Sequence, residues 1–91
     1  MAIVTLRYWA AAKDAAGVAE DKVEARTLAD ALAGGIAAAA ERPGDHAERL
    51  QKVMERSSYL VDGQPAGTRP QDSIAVTADS VIEVLPPFAG G

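Results

Sequence analysis

Hydrophobic residues are concentrated in three short runs, one near each end of the chain and one in between. The runs are Ile3 to Trp9, Val81 to Leu85 and Tyr59 to Val61. Short runs rich in β-branched and aromatic residues are typical of buried strands. Asp62-Gly63 follows the middle run, and this pair favours a tight hairpin turn. The pattern therefore predicts three buried strands, with a turn after the one in the middle of the chain.

Weaker segments extend the predicted sheet. Asp21 to Ala25 has Val23 as its only large apolar residue, which fits an edge strand that forms a hairpin with the first strand. Ile74 to Val76 predicts either a short strand or an extended segment. Ala78 to Ser80 then forms the approach to the last strand.

A helix is predicted between the second and third of these strands. Thr27 with Asp30 three residues later is typical of a capping box, and the helix extends to about Arg42. Gly34-Gly35 weakens this helix by roughly 1 kcal/mol per glycine relative to alanine, so a break there is an alternative. A small residue at position 35 would also let the helix lie close against a sheet. The residues predicted to share its apolar face are Leu28, Leu32, Gly35 and Ile36.

Two shorter helical segments are also predicted. Ala10 to Ala16 is a helix-prone turn that ends at Gly17, and its Lys13 and Asp14 are expected to face solvent. The other segment follows Pro43-Gly44, starts with Asp45 and Glu48 as a second capping pattern, and extends to about Arg56. We expect its single histidine, His46, to be an ordinary surface residue. The apolar face of this helix is formed by Leu50, Val53 and Met54.

Composition limits the classes of function. The chain has 91 residues and no cysteine, which predicts one domain without disulfides and without a thiol of its own for catalysis, redox chemistry or metal binding. Nine basic against 13 acidic residues give a net charge of −4, so a nucleic-acid partner is not expected. There is no long apolar span and no signal-peptide pattern, which predicts a cytoplasmic protein without a membrane partner.

The last six residues differ from the rest of the chain. Pro86-Pro87 ends the final strand, because proline cannot donate to a β-ladder and favours an extended conformation. Near full extension, the segment from Pro86 to Gly91 would reach roughly 20 Å. Gly90-Gly91 carries no Cβ, so the segment is narrow at its tip and would place a carboxylate there. We therefore predict a domain of residues 1–85 and an extended tail of residues 86–91. The alternative is that Gly90-Gly91 is a frayed end or a cloning remnant.

The ending Leu85-Pro86-Pro87-Phe88-Ala89-Gly90-Gly91 resembles that of the MoaD/ThiS-type sulfur-carrier proteins of the ubiquitin-like superfamily. It is most similar to the small subunit of molybdopterin synthase. Tyr8-Trp9 and Val61-Asp62-Gly63 match further features of that family. Two positions depart from its pattern: Lys13 stands where relatives have arginine, and Ala78-Asp79-Ser80 stands where they often have Asp-Gly-Asp. Lysine lacks the bidentate geometry of arginine, so a family contact through position 13 is in doubt.

The resemblance implies a fold of the α+β class, the β-grasp or ubiquitin-like fold. In that fold the first and last strands lie side by side and parallel at the centre of a mixed sheet. The main helix packs across one face of the sheet. A tail attached to the last strand would then project from a firm base.

The resemblance also implies a function for the tail. Gly91 would be adenylated by an E1-like enzyme that uses ATP, converted to a thiocarboxylate, and would donate its sulfur for molybdopterin biosynthesis. The acceptor would be a partner such as the large subunit of molybdopterin synthase. The chain itself would bind no cofactor or metal and would be a non-catalytic subunit or cosubstrate. The residues expected to contact the partners are Gly90, Ala89, Phe88, Pro87 and Pro86.

Several alternatives stay open at the level of the sequence. The carrier could serve the thiamin, cysteine or secondary-metabolite sulfur pathways, or the chain could be a ubiquitin-like protein modifier. It could also be a plain binding module that uses its sheet face and has an inert tail. Phe88 is expected either to anchor the tail in a partner or to fold back on the sheet. Tyr8 and Trp9 are expected in the core or on a sheet face.

Overall fold

The computed structural model describes residues 2–87, which form a five-stranded mixed sheet and three α-helices. The strands are β1 (Ala2–Tyr8), β2 (Glu20–Ala25), β3 (Ser58–Val61), β4 (Gln64–Pro65) and β5 (Val81–Leu85). The helices are α1 (Ala11–Ala16), α2 (Leu28–Ala40) and α3 (His46–Met54), with a 3-10 turn at Gln71–Ser73. The strand order across the sheet is β2-β1-β5-β3-β4. The predicted α+β class and every predicted strand are confirmed, and the order is that expected of a β-grasp fold.

The first and last strands form the centre of the sheet. β1 and β5 are parallel, with Thr5 opposite Val81 and Tyr8 opposite Val84. β5 is antiparallel to β3 on its other side, and β2 lies at the edge as the antiparallel partner of β1. Both predictions about these strands, the central parallel pair and the edge hairpin, are confirmed.

One face of the sheet carries the core. Side chains of a strand alternate between its two faces, and in β1 the residues Val4, Leu6 and Tyr8 are buried while Ile3 and Arg7 are exposed. In β5, Ile82 and Val84 are fully buried on the same face. The helices cover this face, and none of the helices in residues 2–87 is long and apolar enough to cross a membrane.

Helix α2 packs closely on this face and is continuous through both glycines. Leu28, Leu32 and Gly35 are buried, as predicted. A Cβ at position 35 would lie 2.6 Å from Leu6 Cδ1 and 2.6 Å from Tyr8 Oη. Glycine is therefore required there by the close approach of the helix to β1.

The amino-terminal cap of α2 is the predicted one. Thr27 Oγ1 accepts a hydrogen bond from the Asp30 N–H at 3.2 Å. Asp30 accepts in return from the Arg26 N–H at 3.1 Å, one residue before the position that a capping box uses. The helix ends at Ala40, two residues before the predicted end at Arg42.

Helix α3 begins at His46 with Asp45 at the N-cap position, as predicted, but the capping hydrogen bond expected from its side chain is absent. The Asp45 side chain makes no capping hydrogen bond and instead lies 3.8 Å from Arg49 in an exposed ion pair. The helix ends at Met54, before the predicted Arg56, and buries Leu50 and Met54.

The prediction that His46 is an ordinary surface residue is also wrong. Its Nδ1–H donates to the Ala15 carbonyl at 3.0 Å, and its ring would contact a Cβ at Gly17 within 2.9 Å. Gly17 has φ +83° and caps α1 with its N–H on the Lys13 carbonyl at 2.9 Å. His46 therefore joins α3 to the carboxyl end of α1, a contact created by tertiary packing.

A polar network closes the open end of the core. Tyr8 Oη donates to Asp21 at 2.9 Å, and Arg42 forms an ion pair with the same carboxylate. Arg42 also donates to the Ala16 carbonyl at 2.7 Å. The network links α1, β1, β2 and the end of α2. Burial, followed by the charge and hydrogen bond of Asp21, raises the pKa of Tyr8 far above its ordinary value.

The second tyrosine supports β3 in a similar way. Tyr59 Oη donates to the Met54 carbonyl at 2.6 Å, which satisfies the last turn of α3. Burial raises the pKa of Tyr59 to about 12. Both tyrosines of the chain therefore stay neutral to a higher pH than an ordinary tyrosine.

The loops around β3 and β5 are fastened by Asp62. Asp62 and Gly63 have φ of +51° and +82°, as a type I′ hairpin turn requires, which confirms the predicted turn. The Asp62 carboxylate accepts from Ser80 Oγ at 2.9 Å and from the Val81 N–H at 2.8 Å. The residues 74–76 are extended, with a single bridge between Ala75 and Thr27. One of the two predicted alternatives for this segment, an extended segment, is confirmed.

Replacing Gly35 by alanine is expected to destabilise the protein by about 1–3 kcal/mol, because the added methyl overpacks the contact with Leu6 and Tyr8. This range is a net loss, after the gain in helix propensity of about 1 kcal/mol. Gly34→Ala is the comparison variant: its Cβ would lie 3.0 Å from the Cβ of Val23, a tight contact but a less severe one, so a smaller loss is expected. Urea unfolding measures both. A Gly35→Ala protein as stable as the wild type would contradict the packing described.

Stability is expected to fall above about pH 10, since an unfolded tyrosine ionises near that pH. The folded protein keeps its proton on Tyr59 up to about pH 12, so the unfolded state binds fewer protons in this window. The contribution is fully present below pH 10 and is lost as the pH rises through the folded pKa. Urea unfolding across this range and the tyrosinate absorbance of the native protein measure it. Native tyrosinate forming with an ordinary pKa near 10 would refute this expectation.

Candidate functional site

The chain leaves the sheet from its central strand. β5 is hydrogen-bonded to β1 on one side and to β3 on the other, and its last residue, Leu85, lies opposite Ser58. Beyond Tyr8, the Trp9 N–H still donates to the Val84 carbonyl at 3.3 Å. Pro86 and Pro87 follow outside the sheet, as predicted from their missing N–H groups. The end of β5 is therefore held from both sides at the point where the chain departs.

Only part of the predicted site lies within the described residues. Pro86 is half-buried and Pro87 is exposed. Phe88, Ala89, Gly90 and Gly91 lie outside the described residues, so their roles stay predictions. The structure thus describes the base of the tail and the surface around it.

The aromatic pair at the end of β1 is divided between the core and this surface. Tyr8 is buried on the helix side, whereas Trp9 is 46% exposed on the other side of the sheet. The indole N–H of Trp9 donates to Glu83 of β5 at 3.2 Å. Tyr8 and Trp9 were expected in the core or on a sheet face, and this is confirmed: Tyr8 is in the core and Trp9 is on a sheet face. Trp9 therefore exposes a large apolar side chain beside the end of β5, the strand that leads to the tail.

The face of the sheet that carries Trp9 is not covered by any helix in residues 2–87. Ile3 is 51% exposed on this face, and Arg7 and Glu83 occupy opposite positions of the parallel pair. We call it the open face. Its partly or fully exposed residues on β1, β5 and β3 are Ile3, Thr5, Arg7, Val81, Glu83, Leu85, Ser58 and Leu60. A mixed apolar and charged surface next to the tail base suits protein docking.

A cleft of about 750 Å³ lies where the open face meets α1. Lys13 and Asp14 are exposed, which confirms their predicted solvation, and they line this cleft together with Trp9 and Arg7. No sequence motif indicated that these four residues lie together. The parallel register of β1 and β5 would have indicated it, because it places Trp9 beside the end of β5.

The described residues around the tail base form a surface suited to recognition of a protein. Within residues 2–87 no three histidine, aspartate or glutamate side chains cluster as metal ligands, and the chain contains no cysteine. The surface around the tail base presents an indole, aliphatic side chains and charges of both signs. Such a surface can bind and orient a protein partner.

Comparison with protein-family models and with curated proteins finds no match. Solved structures do match over the whole chain. Small archaeal modifier protein 1 from Methanosarcina acetivorans has 20% identity and a TM-score of 0.78, with 100% of this chain and 98% of that chain covered. The protein of the same name from Haloferax volcanii has 24% identity and a TM-score of 0.71, with coverage of 98% and 99%.

A third solved structure connects the fold to the resemblance found in the sequence. It is a Pyrococcus furiosus protein described as a candidate subunit 1 of the molybdopterin converting factor. It has 19% identity and a TM-score of 0.63, with 97% of this chain and 100% of that chain covered. At these identities the comparisons establish the fold. The predicted β-grasp fold is confirmed.

Proposed function

We propose that the chain is a ubiquitin-like carrier that presents Gly91, as its terminal residue, to partner enzymes for activation and sulfur transfer. The observation that supports this most is the end of β5. The strand is held by β1 up to Val84 and by β3 up to Leu85, and Pro86-Pro87 follows outside the strand. A segment attached in this way starts from a fixed position, which reduces the conformational freedom that binding must remove.

Activation of Gly91 requires a partner, because a carboxylate is a poor electrophile. In the proposed reaction a carboxylate oxygen of Gly91 attacks the α-phosphorus of ATP in an E1-like enzyme, and pyrophosphate leaves. The acyl adenylate that forms has AMP as a good leaving group. Gly90 and Gly91 suit this step since the absence of Cβ atoms lets the backbone enter a narrow channel.

Sulfur then replaces the adenylate. The terminal sulfur of a protein persulfide attacks the carbonyl carbon of Gly91, and AMP departs with the electron pair of the broken bond. A thiol reduces the resulting acyl disulfide, which releases the Gly91 thiocarboxylate and leaves a disulfide on the donor. The thiocarboxylate sulfur is ionised and nucleophilic near neutral pH. Entry of the tail into a closed pocket of the acceptor would protect it from water.

Molybdopterin biosynthesis is the proposed destination of the sulfur. The sequence from Leu85 to Pro87 followed by Gly90-Gly91 supports it, as does the fold shared with the Pyrococcus furiosus protein. The acceptor would be a large synthase subunit in the cytoplasm, and ATP would be used by the activating enzyme. This chain would be a cosubstrate that contributes no catalytic group of its own.

Docking is proposed to use the open face as well as the tail. Ordering Pro86 to Gly91 in a partner costs backbone entropy that other contacts must offset. Phe88 is the proposed aromatic anchor within the tail, and Trp9 offers exposed aromatic area beside its base. Pro87 and Ala89 complete the proposed contacts.

A second candidate function is modification of other proteins. Two solved structures named as small archaeal modifier proteins have TM-scores of 0.78 and 0.71 with this chain, above the 0.63 of the converting-factor subunit. In this function a lysine amine of a target attacks the same Gly91 adenylate and forms an isopeptide bond. Intact masses of candidate target proteins separate the two functions.

We expect protein produced with its activating enzyme, ATP and a persulfide donor to carry a thiocarboxylate. Its intact mass should rise by the difference between one sulfur and one oxygen atom, and fragmentation should localise the change to Gly91. Protein without Gly91 is the control and should keep its mass. A mass that stays unchanged in the complete system, with the enzymes shown to be active, counts against the sulfur-carrier function.

Adding one residue after Gly91 is expected to abolish adenylation. The carboxyl carbon would move by about 3.3 Å, whereas a misplacement of roughly 1 Å already costs about a hundredfold in rate. Gly90→Val should fail as well, because it adds branched bulk in the channel. Pyrophosphate exchange with the activating enzyme measures both variants, and their melting temperatures should match the wild type since β5 ends at Leu85.

One added glycine at the amino terminus is the matched control for the extension. β1 and β5 are parallel, so the start of β1 lies at the opposite end of the sheet from the exit of β5. This variant should exchange pyrophosphate at the wild-type rate. Near wild-type exchange by the carboxyl-terminal extension would show that Gly91 is not the reacting group.

A further inference from the structure

A second cleft, of about 430 Å³, lies on the side of the sheet formed by β3 and β4. Its lining is mixed: Leu60 and Pro65, which are opposite each other in the sheet, supply apolar surface, and the loop after β4 supplies Thr68 and Arg69. We call it the Arg69 cleft. Nothing in the proposed chemistry of Gly91 uses it.

Arg69 is fixed in place by its own loop. Its Nε–H donates to the Ala66 carbonyl at 3.2 Å, and one Nη2–H donates to the Pro65 carbonyl at 3.2 Å. These two bonds occupy one edge of the planar guanidinium. The other edge, formed by Nη1 and the second Nη2–H, has no hydrogen-bond partner among residues 2–87. An arginine held in this way is preorganised to bind an oxyanion in a bidentate manner.

The charge of Arg69 is not neutralised within the described part of the chain. No carboxylate in residues 2–87 lies within ion-pair distance of it. The chain has 13 acidic residues, yet none of them lines this cleft, whose other polar side chains are Ser57, Ser58, Thr68 and Gln71. The cleft is thus a positive site with hydroxyl and amide groups on an otherwise acidic protein.

The position of the cleft relates it to the tail. Ser58, which lines the cleft, is opposite Leu85 in the sheet, and Leu85 is the last residue before Pro86. A protein that binds the tail would therefore pass beside the cleft. Since the cleft and Trp9 flank β5 on its two sides, a partner could contact both.

We propose that the Arg69 cleft binds a carboxylate side chain, flanked by apolar residues, on the protein that activates or receives the tail. The free edge of one guanidinium matches one carboxylate, and the apolar surface of Leu60 and Pro65 matches the flanking side chains. A phosphate dianion would be less well matched, since the cleft offers a single cationic side chain. Only the identity of the partner rests on the proposed function; the preference of the cleft for a carboxylate does not.

The test is a titration followed by backbone amide resonances, with the peptide acetyl-Leu-Glu-Leu-amide as the probe. The resonances of Gly67, Thr68 and Arg69 should shift as the peptide is added. The dissociation constant of acetyl-Leu-Gln-Leu-amide should be at least about tenfold higher, because this peptide lacks the charge-assisted hydrogen bond. Arg69→Gln should weaken binding of the glutamate peptide to the same extent. Arg56→Gln is the matched control, because Arg56 is exposed and lies outside the cleft.

A further variant tests whether Arg69→Gln acts only by rearranging the loop after β4. Gln71→Glu leaves the bonds of Arg69 intact and adds a negative charge to the rim, so it should also weaken binding of the glutamate peptide. Equal shifts with the glutamine peptide, equal loss in Arg56→Gln, or stronger binding of inorganic phosphate than of the glutamate peptide would each overturn the proposal.

The functional arm uses the full chain with its activating enzyme. Arg69→Gln should raise the KM for the carrier about tenfold and leave kcat unchanged, because the lost contact is made equally in the ground and transition states. An unchanged KM would overturn the assignment of this partner. If wild-type protein is not adenylated at all, the proposed function fails, while the peptide titration still decides the preference of the cleft.

Discussion

The parallel pairing of β1 with β5 is the constraint on which the rest of the structure depends. Parallel strands cannot be joined by a tight turn, so the intervening chain must cross over from one to the other. That chain supplies the helices that bury Leu6, Ile82 and Val84, which are 0% exposed. It also supplies β3, the second neighbour of β5. The core and the support of the tail base therefore arise from one pairing.

Local patterns were sufficient to predict most of the helices and strands, whereas the parallel pairing of the first and last strands was predicted only from the family resemblance. The strands follow from short apolar runs, the start of α2 from Thr27, and the hairpin turn from Asp62-Gly63, because each depends on neighbouring residues. Gly35 was predictable as a close-packing position, since it lies on the apolar face of α2. The role of the His46 side chain was not predictable in this way. It depends on how α1 and α3 meet, and the two residues of that contact, His46 and Ala15, are far apart in sequence.

The candidate site was likewise only partly predictable from the sequence. The departure of the chain at Pro86-Pro87 was readable from the sequence, because proline ends a ladder wherever it occurs. The arrangement around it was not readable. Trp9 reaches Glu83 across 74 positions, and Ser58 reaches Leu85 through the antiparallel register of β3. Only the register brings these side chains to the tail base, and no local motif specifies it.

The two-sided attachment of β5 also has a mechanical consequence. A pull on the chain beyond Leu85 along the axis of β5 would load the hydrogen bonds to β1 and β3 together, in shear. An edge strand under a transverse pull would instead detach one bond at a time. Loaded in shear, β5 would stay attached until several hydrogen bonds break together. Little of the work of drawing the segment into a partner would then be lost in loosening the domain.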